Sequence, residues 1–293
     1  MRTGPVPQIR KSRAGAARFT SVRSVSAPDS AHVKAEARVP TGAALPLAPG
    51  GTEVVWVYAV TTCVDATKLS GLTGVAGEPV RLVTEGSLSA VVGSVSDNPF
   101  GEKTLPNLLA DLTALEKAGR THHRVISHVA ANGPVLPLRL ATIYSDDETI
   151  ATLLIKRYIE LSVKLDSFRN TQEWDVKVFL KPWKGADDDV WLDAATADLP
   201  GADDDISPWT ALEACADEIG RKLSRIAVDT RRRPSPMPSL ADDSGWIVLN
   251  SAYLVDTEHA TRFSEIASSV AAGHTALRTV VTGPWPPYSF ADR

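Results

Sequence analysis

Residues 277–290, Leu-Arg-Thr-Val-Val-Thr-Gly-Pro-Trp-Pro-Pro-Tyr-Ser-Phe, set a strand beside its own stop signal. Val280 and Val281 close a short apolar run of strand type. Gly283 and Pro284 end it, because proline lacks the backbone N–H that a ladder needs and holds its own φ. Pro286 and Pro287 keep the chain extended, with Trp285, Tyr288 and Phe290 hung on a stiff segment. Aromatics held this way pack back onto their own fold, which is the simpler reading, or serve as a ligand for another protein.

Working upstream, Asp256 or Thr257 caps a helix that carries Phe263, Ile266 and Val270 and stops near Gly273. Trp246–Val255 reads as a strand. Ser207-Pro208 starts another helix, with Leu212, Cys215, Ile219, Leu223 and Ile226 as its apolar stripe. Arg231-Arg232-Arg233 falls near its C-terminal end, where cations suit the helix dipole. Glu173–Leu180 alternates, with Trp174, Val176 and Val178 on one side and Asp175 and Lys177 on the other, so it reads as a half-covered strand. From residue 171 onward the order is strand, helix, strand, helix, strand.

The first half opens with Val54–Val60, apolar on both faces as a central strand should be. Residues 63–78, with Gly71, Gly74 and Gly77, read as a loop with one helical turn. No Lys-Ser/Thr follows these glycines, so they do not make a phosphate cradle. Pro79–Thr84 and Leu88–Ser96 flank the turn Glu85-Gly86-Ser87 and predict a hairpin. Residues 103–131 read as helix, with breaks at Pro106 and Gly119. His122, His123 and His128 lie in it at spacings that suit a metal poorly, so they are expected to be solvated or locally bonded. Val135–Tyr144 reads as one strand with Arg139 in its middle. That arginine needs an acid on a neighbouring element, or else serves an anion or a partner. Ser145-Asp146-Asp147-Glu148 has the form of a capping box. The helix after it carries Ile150, Leu154, Tyr158, Leu161, Leu165 and Phe168 as a stripe for packing on a sheet, with a partner-helix groove as the lesser reading.

The 293 residues have room for two ordinary domains. Eight Lys/Arg against Asp29 and Glu36 give residues 1–50 a charge of +6, so the net charge of −4 leaves −10 for the rest. A basic leader can touch nucleic acid or an acidic partner, but is more simply solvated. Residues 1–51 hold few large apolar side chains and read as disordered. No apolar run approaches the ~20 residues of a membrane helix. Cys63 and Cys215 sit in apolar patterns, the profile of a reducing compartment with both thiols in the core. Their number alone would allow a disulfide, and nothing in the pattern supports one. Asp187–Asp189 and Asp203–Asp205 lack the alternation and closing glutamate of a calcium loop and read as solvated. Nucleophile elbow, paired-cysteine, zinc-protease and dinucleotide motifs are all missing, and no aromatic-plus-basic strand of the RNA-binding kind is found. Nothing in the sequence argues for an enzyme, a cofactor or a metal.

Three segments together resemble the gas vesicle protein F/L family: Val135-Leu-Pro-Leu-Arg139-Leu-Ala-Thr142, Glu173-Trp-Asp-Val-Lys-Val178, and Thr282-Gly-Pro-Trp-Pro-Pro-Tyr-Ser-Phe290. The Trp56-Val-Tyr58 strand and the hairpin ending in Leu88–Val92 also fit, and the resemblance spans residues 53–290. The family usually has Phe-Gly after the arginine, where this chain has Leu140-Ala141. The resemblance implies an α+β fold of two domains, 52–170 and 171–293, the second a modified ferredoxin-like domain; the leader at 1–51, read as disordered from its composition, lies outside the shared pattern. It implies a cytoplasmic, vesicle-associated accessory protein that binds the hydrophobic shell protein and other accessory proteins, as an assembly factor or a minor vesicle component. No catalysis, nucleic acid or membrane is implied. Arg139, Trp285 and Tyr288 are the expected partner-binding residues. A ferredoxin-like sensor of a small molecule is the rival reading.

Overall fold

The computed structural model describes residues 53–62, 64–181, 207–234 and 245–292. The basic leader, Cys63, both acid triplets and the segments 182–206 and 235–244 lie outside the described residues. Strand β1 (Glu53–Thr62) is central to a first antiparallel sheet with β2 (Arg81–Glu85), β3 (Leu88–Ser96), β4 (Val135–Pro137) and β5 (Ile143–Tyr144). Its order is β2-β3-β1-β4, with β5 also on β1. Both faces of β1 are apolar because both are covered. Trp56 and Tyr58 pack under the helical side formed by α1 (Asp97–Phe100), α2 (Leu105–Ala110) and α3 (Leu112–Ala130). Val55 and Val57 pack against α4 (Asp147–Lys156) and α5 (Tyr158–Ser167). The hairpin predicted at 85–87 forms, with Glu85 opposite Leu88.

Several local expectations are corrected. The helical region breaks at Asp111, whose carboxylate accepts from the Thr113 and Ala114 N–H groups as the N-cap of α3. Pro106 instead sits in the first turn of α2, where its missing N–H costs nothing, and Gly119 is interior to α3. The cap of α4 is Asp146, accepting from Thr149 N at 2.7 Å, while Ser145 donates to Asp146. A carboxylate suits the positive helix end better than a hydroxyl. Val135–Tyr144 is interrupted at 138–142. Leu138 N donates to Tyr58 O and Val57 N to Thr142 O, but Ala141 between them takes φ +69°. A left-handed residue cannot continue a strand.

The second sheet holds β6 (Thr171–Leu180), β7 (Asp229–Arg232), β8 (Trp246–Asp256) and β9 (Leu277–Trp285) in the order β7-β8-β6-β9, every pair antiparallel. With α6 (Pro208–Ser224) after β6 and α7 (Ala260–Ser269) after β8, this is the βαββαβ order of a ferredoxin-like fold. Its helix-covered core holds Val176, Val178, Leu212, Ile219, Leu223, Tyr253 and Phe263. Cys215 is a free thiol in that core, and burial pushes it up from the usual cysteine range. Two corrections belong here. Arg231 and Arg232 lie on strand β7, since α6 ends at Ser224 and Val228 N is already taken by Leu254 O. Strand β9 does not end at Gly283-Pro284 but runs to Trp285 across a bulge, with Thr282 opposite Asp175 and Trp285 opposite Glu173. The bulge leaves proline without a ladder bond to make.

The protein is thus an α+β fold with two antiparallel sheets, and all its described residues belong to one compact unit, Ala44–Arg293. One core cluster joins the sheets: Leu161, Leu165 and Phe168 of the first half meet Ala252 and Leu254 of β8, with Phe290 among them. No helix of the described residues is long and apolar enough to cross a membrane.

Candidate partner-binding site

The three residues expected to serve a partner all meet the C-terminal segment at this seam. Gly283 makes the approach possible. Its φ is +142°, and a β-carbon there would stand 2.9 Å from Glu173 O and 3.0 Å from the Trp174 ring. Only glycine fits such a backbone beside such a neighbour. Beyond it the chain crosses from the second sheet to α3. The Trp285 ring meets His123 edge-on at 5.4 Å, and the Tyr288 ring lies 5.8 Å from the same imidazole. The Tyr288 hydroxyl and His123 Nδ1 are 2.8 Å apart. Burial pushes the Tyr288 phenol well above the usual tyrosine range, and the charge of Glu173 adds to this. Both aromatics therefore pack back onto their own fold.

Arg139 stands on the turn between β4 and β5 and donates to Asp292 Oδ2 at 2.8 Å. The expected ion pair with a neighbouring acid is present, but Arg139 is 58% exposed and off the strand. Two further contacts fasten the segment: Lys164 donates to Ala291 O, and Phe290 is buried under the Arg231 guanidinium, 5.3 Å from the ring centre.

The side of β6 read as open is covered here. Glu173 is fully buried and Asp175 nearly so. Ser289 N donates to Glu173 Oε2 at 2.7 Å and Ser289 Oγ to Oε1 at 2.6 Å. Arg233 Nη2 lies 2.9 Å from Glu173 Oε1 and 2.8 Å from Asp175 Oδ1. Burial pushes the Glu173 carboxyl up from the usual range, opposed by the Ser289 hydrogen bonds and by the charge of Arg233. Two buried acids on one strand thus share one arginine, and a serine from a third chain segment bonds Glu173. A periodic reading could have paired Glu173 with Asp175 on one face. That Arg233 and Ser289 would meet them has no local signal.

Each of the three histidines reaches a distant partner; His122 is buried, while His128 is exposed to solvent and His123 also has a local contact with Ser127 Oγ at 3.3 Å, as expected. Trp56 Nε1 donates to His122 Nδ1 at 3.1 Å, and His122 Nε2 then donates to Leu138 O at 3.0 Å. Burial holds His122 down at about 4, so it is neutral. His128 meets Lys68 O. Among the described residues, Asp256, Glu258 and His259 could bring ligand atoms within 4.8 Å of one another, two of the three exposed. Exposed acidic groups commonly stand together without an ion.

The fold is shared with solved structures. The crystal structure of gas vesicle protein GvpF from Anabaena sp. PCC7120 superposes with a TM-score of 0.62 at 18% identity, over 82% of this chain and 97% of that one. That of GvpF from Microcystis aeruginosa gives 0.60 at 17%, over 82% and 99%. Sequence likeness goes further. The family model described as gas vesicle synthesis protein GvpL/GvpF matches residues 54–203 and 208–292. Gas vesicle protein L of Streptomyces sp. strain CB03234 is 34% identical over 247 residues, 80% of this chain and 92% of that protein. Gas vesicle protein F of the same strain is 24% identical over 246 residues. The chain belongs to the GvpL/GvpF family of gas vesicle synthesis proteins.

Proposed function

We propose that this chain is an accessory protein of gas vesicle assembly that binds the hydrophobic shell protein, together with other accessory proteins. It keeps shell subunits from aggregating until they join the vesicle wall, and it converts no substrate. The match to a gas vesicle synthesis family along nearly the whole described chain carries this reading. The physical need is general: a polypeptide with a large apolar surface aggregates unless that surface is covered. In this reading Trp285 and Tyr288 act by fixing the C-terminal segment across the seam, and the half-exposed Arg139 at its rim meets the partner. The place of work is the cytoplasm, at the growing vesicle.

Light scattering tests it. Purified shell subunit diluted from denaturant should scatter strongly alone and weakly with an equimolar amount of this chain. Equal scattering with and without the chain would count against the proposal.

A further inference from the structure

Successive residues of the C-terminal segment each meet a different cation. Ser289 Oγ accepts from Arg233, the Phe290 ring lies under Arg231, Ala291 O accepts from Lys164, and Asp292 pairs with Arg139. Arg233 has Glu173 and Asp175 as well. Arg231 is different. It makes no ion pair among the described residues, and its Nε and Nη2 are buried without a hydrogen-bond partner. These two nitrogens form one edge of the guanidinium, the fork that grips a carboxylate or phosphate through two parallel bonds. Arg232, on the other face of the same strand, bonds Asp217 of α6, so Arg231 is turned to the seam. Asp229, two residues back on its face, accepts from Thr230 N at 2.7 Å and forms no pair with Arg231. Lys164 stands beside Arg231, since the two touch adjacent residues, Ala291 and Phe290. Burial, and next the charge of Arg231, hold the Lys164 amine below its usual range.

We propose that the fork of Arg231, with Lys164 beside it, binds a phosphate group at the seam between the two sheets. Buried donors left unbonded cost free energy, and folded proteins seldom keep them. A water could meet the donors but not the charge. The fork takes two oxygens of a phosphate and Lys164 takes a third; a carboxylate has only two to give. An ammonium carries three donors and can serve Ala291 O and an oxyanion together. Two adjacent cations also favour a dianion over a monoanion. Both side chains are partly buried, so solvent screens the site less than an open surface. A phosphate here would join α5 of the first half to β7 of the second, next to the segment that already crosses between them. The inference does not depend on the assembly-factor reading.

Calorimetric titration of the full chain decides it, with inorganic phosphate at pH 7.5 and sodium chloride holding the ionic strength constant. The unaltered chain should show one saturable site, and acetate should bind more weakly. Arg231→Lys keeps the charge and loses the fork, so it should weaken phosphate binding about tenfold or more. Lys164→Gln should weaken it as well, and decides the matter if Arg231→Lys does not fold. Arg232→Gln, on the opposite face, should leave it unchanged. Methyl phosphate separates the sources. Binding as tight as that of inorganic phosphate means the phosphate group of a larger molecule, and binding of inorganic phosphate alone means the free ion; either result supports the site. No saturable binding by the unaltered chain, acetate as tight as phosphate, unchanged affinity in Arg231→Lys or Lys164→Gln, or an equal loss in Arg232→Gln would overturn the proposal.

Discussion

His122 makes the stability of the first half depend on acid. It accepts from Trp56, donates to Leu138 O, and is fully enclosed beside β1. Its imidazole is held at about 4 against an ordinary 6.5. Below pH 6.5 the unfolded chain takes up a proton here that the folded chain refuses until about pH 4. The contribution is therefore full above pH 6.5 and is lost as the pH falls through that window. The gap of about 2.5, at about 1.36 kcal/mol for each pH unit, sets a ceiling of about 3 kcal/mol. Between pH 7.5 and pH 4.5 the loss from this residue should reach about 2.5 kcal/mol. Other groups titrate as well, Glu173 among them with the opposite sign, so the assay is a difference. Urea unfolding of the unaltered chain and of His122→Gln across that range should give curves whose separation changes by about this amount, with the variant flatter. Histidine-ring NMR of the unaltered folded chain should show one imidazole still neutral at pH 5.5. Parallel stability curves, together with a ring that titrates near 6.5, would refute the reasoning.

Other perturbations test the seam and the turn. Ala141→Gly relieves a left-handed backbone at φ +69° and should raise unfolding free energy by about 0.5–1 kcal/mol, with a fall instead speaking against strain there. Ser289→Ala removes a hydroxyl that donates to the buried Glu173 Oε1 and accepts from Arg233, and should cost about 1–3 kcal/mol in urea unfolding. Phe290→Ala empties a buried ring site between the sheets and should cost about 3–5 kcal/mol, whereas a cost below about 1 kcal/mol would mean the segment does not hold the seam. Gly283→Ala forces a β-carbon onto Glu173 O and should cost roughly 1–3 kcal/mol in the same assay.

Strand β1 and most of the helix stripes were legible in the sequence because burial on one or two faces leaves a period that can be counted, but the stripe of Ile150 to Phe168 is split between α4 and α5 at Arg157, and its Tyr158 is exposed. Other features were not, each for a physical reason. Strand β7 is four residues long, largely polar, and exists through its pairing with β8, so Arg231 and Arg232 looked like cations closing a helix. Gly283-Pro284 looked like a stop because a bulge is invisible without the opposing strand. The motif at 282–290 was right to single out, and its aromatics do pack inward, but His123 is 165 residues from Tyr288 and no local rule joins them. The exposed side chains Ile155, Ile159 and Val163 were overlooked because a periodic reading collects one best face, and the break between α4 and α5 at Arg157 has no signal in the apolar spacing. Ala141 is the reverse case. The departure from the family's glycine was visible in the sequence, and the structure shows the positive φ that a glycine would relieve.

Sedimentation velocity of fluorescently labelled shell subunit, mixed with rising amounts of the full chain, tests the central claim most directly. The account predicts that the heavy polydisperse boundary collapses into one soluble species containing both proteins, at a fixed ratio. A labelled subunit that sediments as aggregate at every ratio, with this chain remaining apart as a separate slow boundary, would contradict it.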